Sequence, residues 1–173
     1  MKTEENITLV QRHWDAELRQ DLDAVFETIT DDCVYYDATM GKPIQGKEAI
    51  TQYHQSVWKG FPDLSWDRDR ENMVVTETHV VTWMVFEGTF RGPFRGLLPT
   101  GRTCQVPGVA IYRIRGDKIC EEKIYYDALT LAHQMGLLPS PDKFFGRIMN
   151  LILSLPRYCA FQLQRIVQRR RPN

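Results

Sequence analysis

The chain has 173 residues, 43% hydrophobic and 25% charged, with a formal net charge of zero. That size and balance fit one soluble globular domain with a small appendage. The zero hides an asymmetry: seven Lys/Arg and no acid lie from Lys143 onward, which leaves 22 acids against 15 bases in the body. Four scattered cysteines, with no CxxC pair, argue against a zinc site and against a disulfide framework. The N-terminus MKTEENITLVQRHWDAEL lacks the apolar region of a signal peptide. No run reaches the ~18 apolar residues of a membrane span, so the expected location is the cytoplasm.

Taken in chain order, Ile7, Val10, Trp14, Leu18, Leu22, Val25 and Ile29 recur at helical spacing and predict one long or two short amphipathic helices. Asp31-Asp32 breaks that pattern. CVYYDAT reads as a strand and MGKPIQG as a turn-rich loop. KEAITQYHQSVWKG then places Ile50, Tyr53 and Val57 on one helical face, with Pro62 as a stop signal beyond it. LSWDRDRENMVVT, THVVTWMVFEGTF, TCQVPGVAIYRI and ICEEKIYYD are long strands joined by short turns, as in an antiparallel meander. Helices first and a curved sheet after them predict an α+β fold: a cone-shaped, strongly curved antiparallel sheet wrapped on N-terminal helices. The domain is expected over residues 1–139. Residues 140–173, apolar, interrupted by Pro156 and ending in RRR, are expected to form a basic C-terminal helical extension of two short helices. Packing on the body or a dimer mate, peripheral membrane contact and a lid over the pocket are its possible uses; nucleic-acid binding lacks a motif context.

GTFRGPFRGLLPTGR, Gly108, YRIRGDKICEEKIYYD and LAHQMGLLP, together with CVYYDATMGKPIQGKEAI and FPDLSW, resemble the SnoaL-like polyketide cyclases of the nuclear transport factor 2-like superfamily. The resemblance spans roughly Ile7 to Pro139. It implies a deep apolar pocket, a homodimer, and an acid/base aspartate at the end of the last strand, which here is Asp127. The chain departs from the family pattern at Phe90 and Ile124, where relatives carry histidine, and at Lys123, where they carry tryptophan.

Asp127 stands at a strand-to-helix junction, where Asp is a favoured N-cap. In a pocket, desolvation would instead raise its pKa toward catalytic use. Asp37, ending the first strand, is the second candidate carboxylate, either an Asx-turn residue or an acid/base partner. Tyr36 beside it is a candidate oxyanion donor. On β alternation Asp127 shares a face with Tyr125, Lys123 and Glu121, the last two reading as an ion pair. The four histidines show no metal-ligand spacing, and no metal site is expected. His54, beside Tyr53 on a helix expected to line the pocket, is the one placed to shuttle protons. Trp14, Trp83 and Phe90 match pocket-lining regions of the family, and Gln105 is placed to orient a carbonyl. Tyr53 and Tyr125 complete the expected substrate-binding set.

The expected activity is a cofactor-free acid/base enzyme, an aldol-type cyclase, isomerase or dehydratase, acting on a small hydrophobic carbonyl-containing intermediate. The substrate's own carbonyl serves as electron sink. The alternative is a non-catalytic ligand-binding or assembly domain with the same pocket.

Overall fold

The computed structural model describes residues 2–69 and 72–139, together with Ile148, Leu151, Ile152, Leu155, Pro156 and Tyr158. The chain divides into two compact units, Met1–Met135 and Gly136–Asn173. The six described residues of the extension beyond position 139 are helical; the expected pair of basic helices otherwise lies outside the described residues.

The first amphipathic pattern resolves into two helices, α1 (Lys2–Leu18) and α2 (Leu22–Thr28). The chain turns between them at Gln20, whose φ of 57° ends α1, and the Asp21 side chain caps α2 by accepting from the Ala24 N–H. The buried stripe of α1 is Leu9, Val10, His13, Trp14 and Ala16. A histidine therefore sits in the apolar face.

Ile29 leaves the helical pattern and opens β1 (Ile29–Asp37). The strand runs through Asp31-Asp32, read from sequence as a break. It can do so because its register with β7 shifts between Ile29 and Val34, leaving both aspartates exposed at the irregularity; such bulges let a polar pair leave the ladder. Then come β2 (Ile44–Gln45), α3 (Lys47–Gly60), β3 (Ser65–Trp66), β4 (Met73–Val75), β5 (His79–Thr89), β6 (Thr103–Arg115), β7 (Lys118–Tyr126) and α4 (Ala128–Gln134).

The sheet order is β2-β1-β7-β6-β5-β3, with β4 also paired to β5. The meander β5-β6-β7 is antiparallel as expected, but β1 joins β7 in parallel, so the curved sheet is mixed. Between β1 and β7 the chain passes through α3 and the whole meander, and a parallel pair needs such a crossover. Along β6, Cys104, Val106, Ala110, Tyr112 and Ile114 face inward and are buried, while Thr103, Gln105, Pro107, Arg113 and Arg115 face outward and are exposed. The inner face packs on α1 and α3 in two clusters, one around Trp14, Tyr35 and Tyr112, the other around Phe61, Phe90 and Phe94. Among the described residues no helix is long and apolar enough to cross a membrane.

Candidate functional site

Between α3 and the inner face of the sheet lies a cavity of about 120 Å³. Its walls are mostly apolar, with Val57, Trp58, Phe61, Met84, Phe86 and Val106 among them. Gly108 helps shape it: a Cβ there would lie 2.5 Å from the Phe86 ring, so only a glycine lets that ring lie across β6. Apart from Glu87, the cavity's polar groups gather mainly at two places.

The first is built on Asp37, 2% exposed at the end of β1. Its Oδ1 accepts from the Thr39 N–H at 2.8 Å and the Thr39 hydroxyl at 2.6 Å. Its Oδ2 accepts from Arg95 Nη2 at 2.6 Å, from the Tyr53 hydroxyl at 3.2 Å and from the Tyr126 hydroxyl at 3.4 Å. Arg95 Nη1 also donates to Thr39 Oγ1. Arg95 has a φ of 51° and lies over the Phe94 ring, so its loop turns sharply to deliver the guanidinium. With donors on both oxygens, the Asp37 carboxylate is an anchor that holds two phenol side chains, Tyr53 and Tyr126, in the cavity lining. Burial, with Asp37 next in effect, pushes the Tyr53 hydroxyl well above its ordinary pKa and that of Tyr126 upward. Both phenols therefore stay protonated as donors.

The second is a cluster of His13, Glu17, His54 and Glu122. His13 Nε2 lies 3.1 Å from Glu122 Oε2 and 3.5 Å from Glu17 Oε1; His54 Nε2 lies 3.0 Å from the same Glu17 oxygen. Glu17, His54 and Glu122 line the cavity, while His13 is fully buried behind them. Burial opposes charge on His13, but the carboxylates, Glu17 foremost, overcome it and lift its pKa to about 10. Burial likewise opposes ionisation of Glu17, and His13 and His54 overcome it, to about 2. Glu122 goes the other way: burial, and then the Glu17 charge, raise its pKa. Among the described residues its Oε1 has no hydrogen-bond partner. Two carboxylates in one site are thus driven apart, the pattern that separates acid and base roles. Tyr112, on the cavity wall, is fixed by the Trp14 indole, which donates to its hydroxyl at 2.7 Å.

The strands set the distance between the two centres. Tyr35 pairs with Glu122 and Asp37 with Ile124, so the centres stand one inward-facing step apart, about 7 Å.

Of the residues singled out from sequence, Asp37, Tyr53 and His54 line this cavity. Asp127 caps α4: its Oδ1 accepts from the Thr130 N–H at 2.9 Å and its Oδ2 from the Thr130 hydroxyl at 2.7 Å. Those bonds hold its pKa below the usual value, and it is not among the lining residues. Trp14 is buried behind Tyr112. Phe90 is stacked on Phe61 in the second core cluster. Trp83 and Tyr125 line a shallow groove on the outer face of the sheet, and Tyr36 packs against Tyr125. Gln105 is exposed, its backbone held by the Gln134 side chain. Lys123, outward like Tyr125, pairs with Glu121 at 3.0 Å.

Sequence reasoning missed His13, Glu17, Arg95, Tyr112, Glu122 and Tyr126. One signal was available. On β7, Cys120, Glu122 and Ile124 alternate on one face, and the parity of the two apolar residues marks that face as inward. The family aspartate drew attention to the opposite parity. For His13, its place in the Val10–Trp14 stripe was the cue.

A cavity between helices and a curved mixed sheet, with ionisable groups on its inner face, defines a nuclear transport factor 2-like protein. The family model for the SnoaL-like polyketide cyclases matches residues 8–135, and the chain belongs to that family. A protein from Jannaschia sp. CCS1, assigned as a SnoaL-like polyketide cyclase, superposes with a TM-score of 0.71 at 24% identity, covering 79% of this chain and 95% of that one. AclR from Streptomyces galilaeus, assigned as a hydroxylase, gives 0.68 at 22%, covering 80% and 89%. IdmH from Streptomyces antibioticus, assigned as a polyketide cyclase, gives 0.63 at 26%, covering 75% and 96%. A search of curated proteins finds no match.

Proposed function

We propose that this chain is an acid/base enzyme that enolises a hydrophobic carbonyl compound and then closes, isomerises or dehydrates it, as an aldol-type cyclase, isomerase or dehydratase. One observation carries the reading: one apolar cavity is lined by two phenols held at Asp37 and by a raised-pKa carboxyl group at Glu122, strand positions about 7 Å apart along the backbone. When substrate binds, the Tyr53 and Tyr126 hydroxyls, which donate to Asp37 Oδ2 in the free protein, turn to its carbonyl oxygen, and their donation strengthens as negative charge develops there. Asp37 and Arg95 position them. Glu122, whose pKa burial and the Glu17 charge raise, takes the α-proton on Oε1 in its ionised form, and the raised pKa makes it a stronger base. In the cyclase version the enolate carbon attacks a second carbonyl of the same molecule. The new alkoxide then receives the proton held by Glu122, so the reaction is redox-neutral and needs no external electron acceptor. The apolar walls exclude water and keep the substrate folded. Asp127 serves in this reading as the α4 cap. The working form is a homodimer, which covers the outer sheet strip of Trp83, Val85, Pro107, Val109 and Tyr125; Trp83 and Val85 are each 45% exposed.

The test is exchange of α-hydrogen for solvent deuterium in a hydrophobic 1,3-dicarbonyl, followed by NMR. Wild type should catalyse exchange, Glu122→Gln should slow it by about 10²–10⁴, and Tyr53→Phe should slow it less. Binding of the probe without exchange supports the ligand-carrier alternative and sinks the enzyme reading.

A further inference from the structure

The floor of the cavity holds more ligating atoms than proton transfer requires, and their orientation is fixed. The Thr28 hydroxyl donates to the Val25 carbonyl at 2.6 Å, so it accepts from His13 Nδ1, also at 2.6 Å. His54 Nδ1 lies 3.0 Å from the Ile50 carbonyl, which can only accept. Each histidine therefore commits its Nδ1 proton to a fixed acceptor and turns Nε2 toward carboxylate oxygens. An Nε2 proton, or a cation in its place, stands between those atoms, and the Tyr35 hydroxyl also lies 3.2 Å from His13 Nε2. Glu122, 1% exposed, brings one oxygen with no hydrogen-bond partner among the described residues.

We propose that this floor is a binding site for one divalent first-row transition cation, ligated by His13 Nε2, His54 Nε2 and the carboxylates of Glu17 and Glu122. One atom each from His13, Glu17 and Glu122 already lies within 4.8 Å of the others, and the closest nitrogen–oxygen separations are 3.0 to 3.5 Å. Metal bonds of about 2.0–2.2 Å place neighbouring ligand atoms roughly 3 Å apart. Two imidazoles and two carboxylates suit zinc, cobalt, iron or manganese better than calcium or magnesium. Thr28 and the Ile50 carbonyl supply the outer contacts that orient metal-binding imidazoles. Glu17, His54 and Glu122 face the cavity, so the ion's remaining coordination position would face substrate. The inference does not rest on the enolisation reading. Cation and proton occupy the same atoms, and either can be present without the other.

The test uses full-length, chelator-treated protein titrated with Co²⁺, read by calorimetry and by the visible ligand-field spectrum. One equivalent per chain should bind, with a spectrum of nitrogen and oxygen ligation. Glu17→Gln and His54→Asn, each checked for folding by circular dichroism, should weaken binding at least about tenfold; Thr28→Val, an outer-contact change, should weaken it by about 10–100-fold. No saturable binding by folded wild type, or binding undiminished in both ligand variants, overturns the site. Deuterium exchange without Co²⁺ binding removes the cation site alone. Co²⁺ binding, with no exchange by the chelator-treated protein before Co²⁺ is added, removes the enzyme reading alone.

Discussion

Asp127 and Glu122 stand on opposite faces of one strand end, and that parity decides their chemistry. Asp127 accepts from Thr130 in water-exposed surroundings, which stabilises its anion and weakens it as a base. Asp127→Asn keeps an N-cap acceptor and should leave deuterium exchange near wild type; Asp127→Ala should lower the melting temperature by a few degrees. Loss of exchange in Asp127→Asn with melting unchanged would return the catalytic role to Asp127. The pH sign follows from its lowered pKa. The cap's contribution is fully present above the ordinary value of 3.8 and is lost as pH falls through the lower folded value. Thermal melts of wild type and Asp127→Ala should therefore converge in acid.

At the scale of elements, the cavity depends on close approaches that side chains would block. A Cβ on Gly92 would lie 1.9 Å from the Lys59 carbonyl oxygen, where the end of α3 meets the segment after β5 through the Arg91 and Gly92 N–H groups donating to the Gly60 carbonyl. Backbone, not a movable side chain, stands in the way. Gly92→Ala should therefore cost about 1–3 kcal/mol or more, measured by urea unfolding. Gly108→Ala meets the Phe86 ring at 2.5 Å and the Tyr125 carbonyl oxygen, much less closely than at Gly92, at 2.9 Å. It should displace a cavity wall, so that probe affinity falls while the unfolding midpoint shifts less than in Gly92→Ala. Equal shifts in the two variants would show that the Phe86 wall is as rigid as the α3 junction.

For the molecule as a whole, association is the measurable property. Outward parity on β5, β6 and β7 aligns Trp83, Val109 and Tyr125 across three strands, an apolar strip of the kind that marks an interaction face. Trp83→Glu should convert a dimer to monomer in sedimentation velocity while leaving the inner cavity folded. Removal of residues 140–173 tests the competing cover: a truncated chain that remains dimeric assigns the strip to the second copy, and one that dissociates assigns the contact to the extension.

The sequence by itself determined most elements, their order and the family, because helical and alternating periodicities are local and the family segments lie in order along the chain; it missed that LSWDRDRENMVVT forms two short strands, Ser65–Trp66 and Met73–Val75, and that β1 runs through Asp31-Asp32. It also determined that Asp37, Tyr53 and His54 were worth naming: they lie beside apolar positions whose inward face is readable. The apolar Cys120 and Ile124 mark the inward parity of β7, but only the tertiary structure placed Glu122 and Tyr126 of that parity in the cavity lining and left Asp127 out of it, a difference of one residue in parity. Likewise, only the fold joins His13 and Glu17 from the first helix, His54 from the third and Glu122 from the last strand. No spacing along the chain encodes that meeting. Long-range packing creates it, because a curved sheet closing on two helices leaves their polar side chains one shared place to be satisfied.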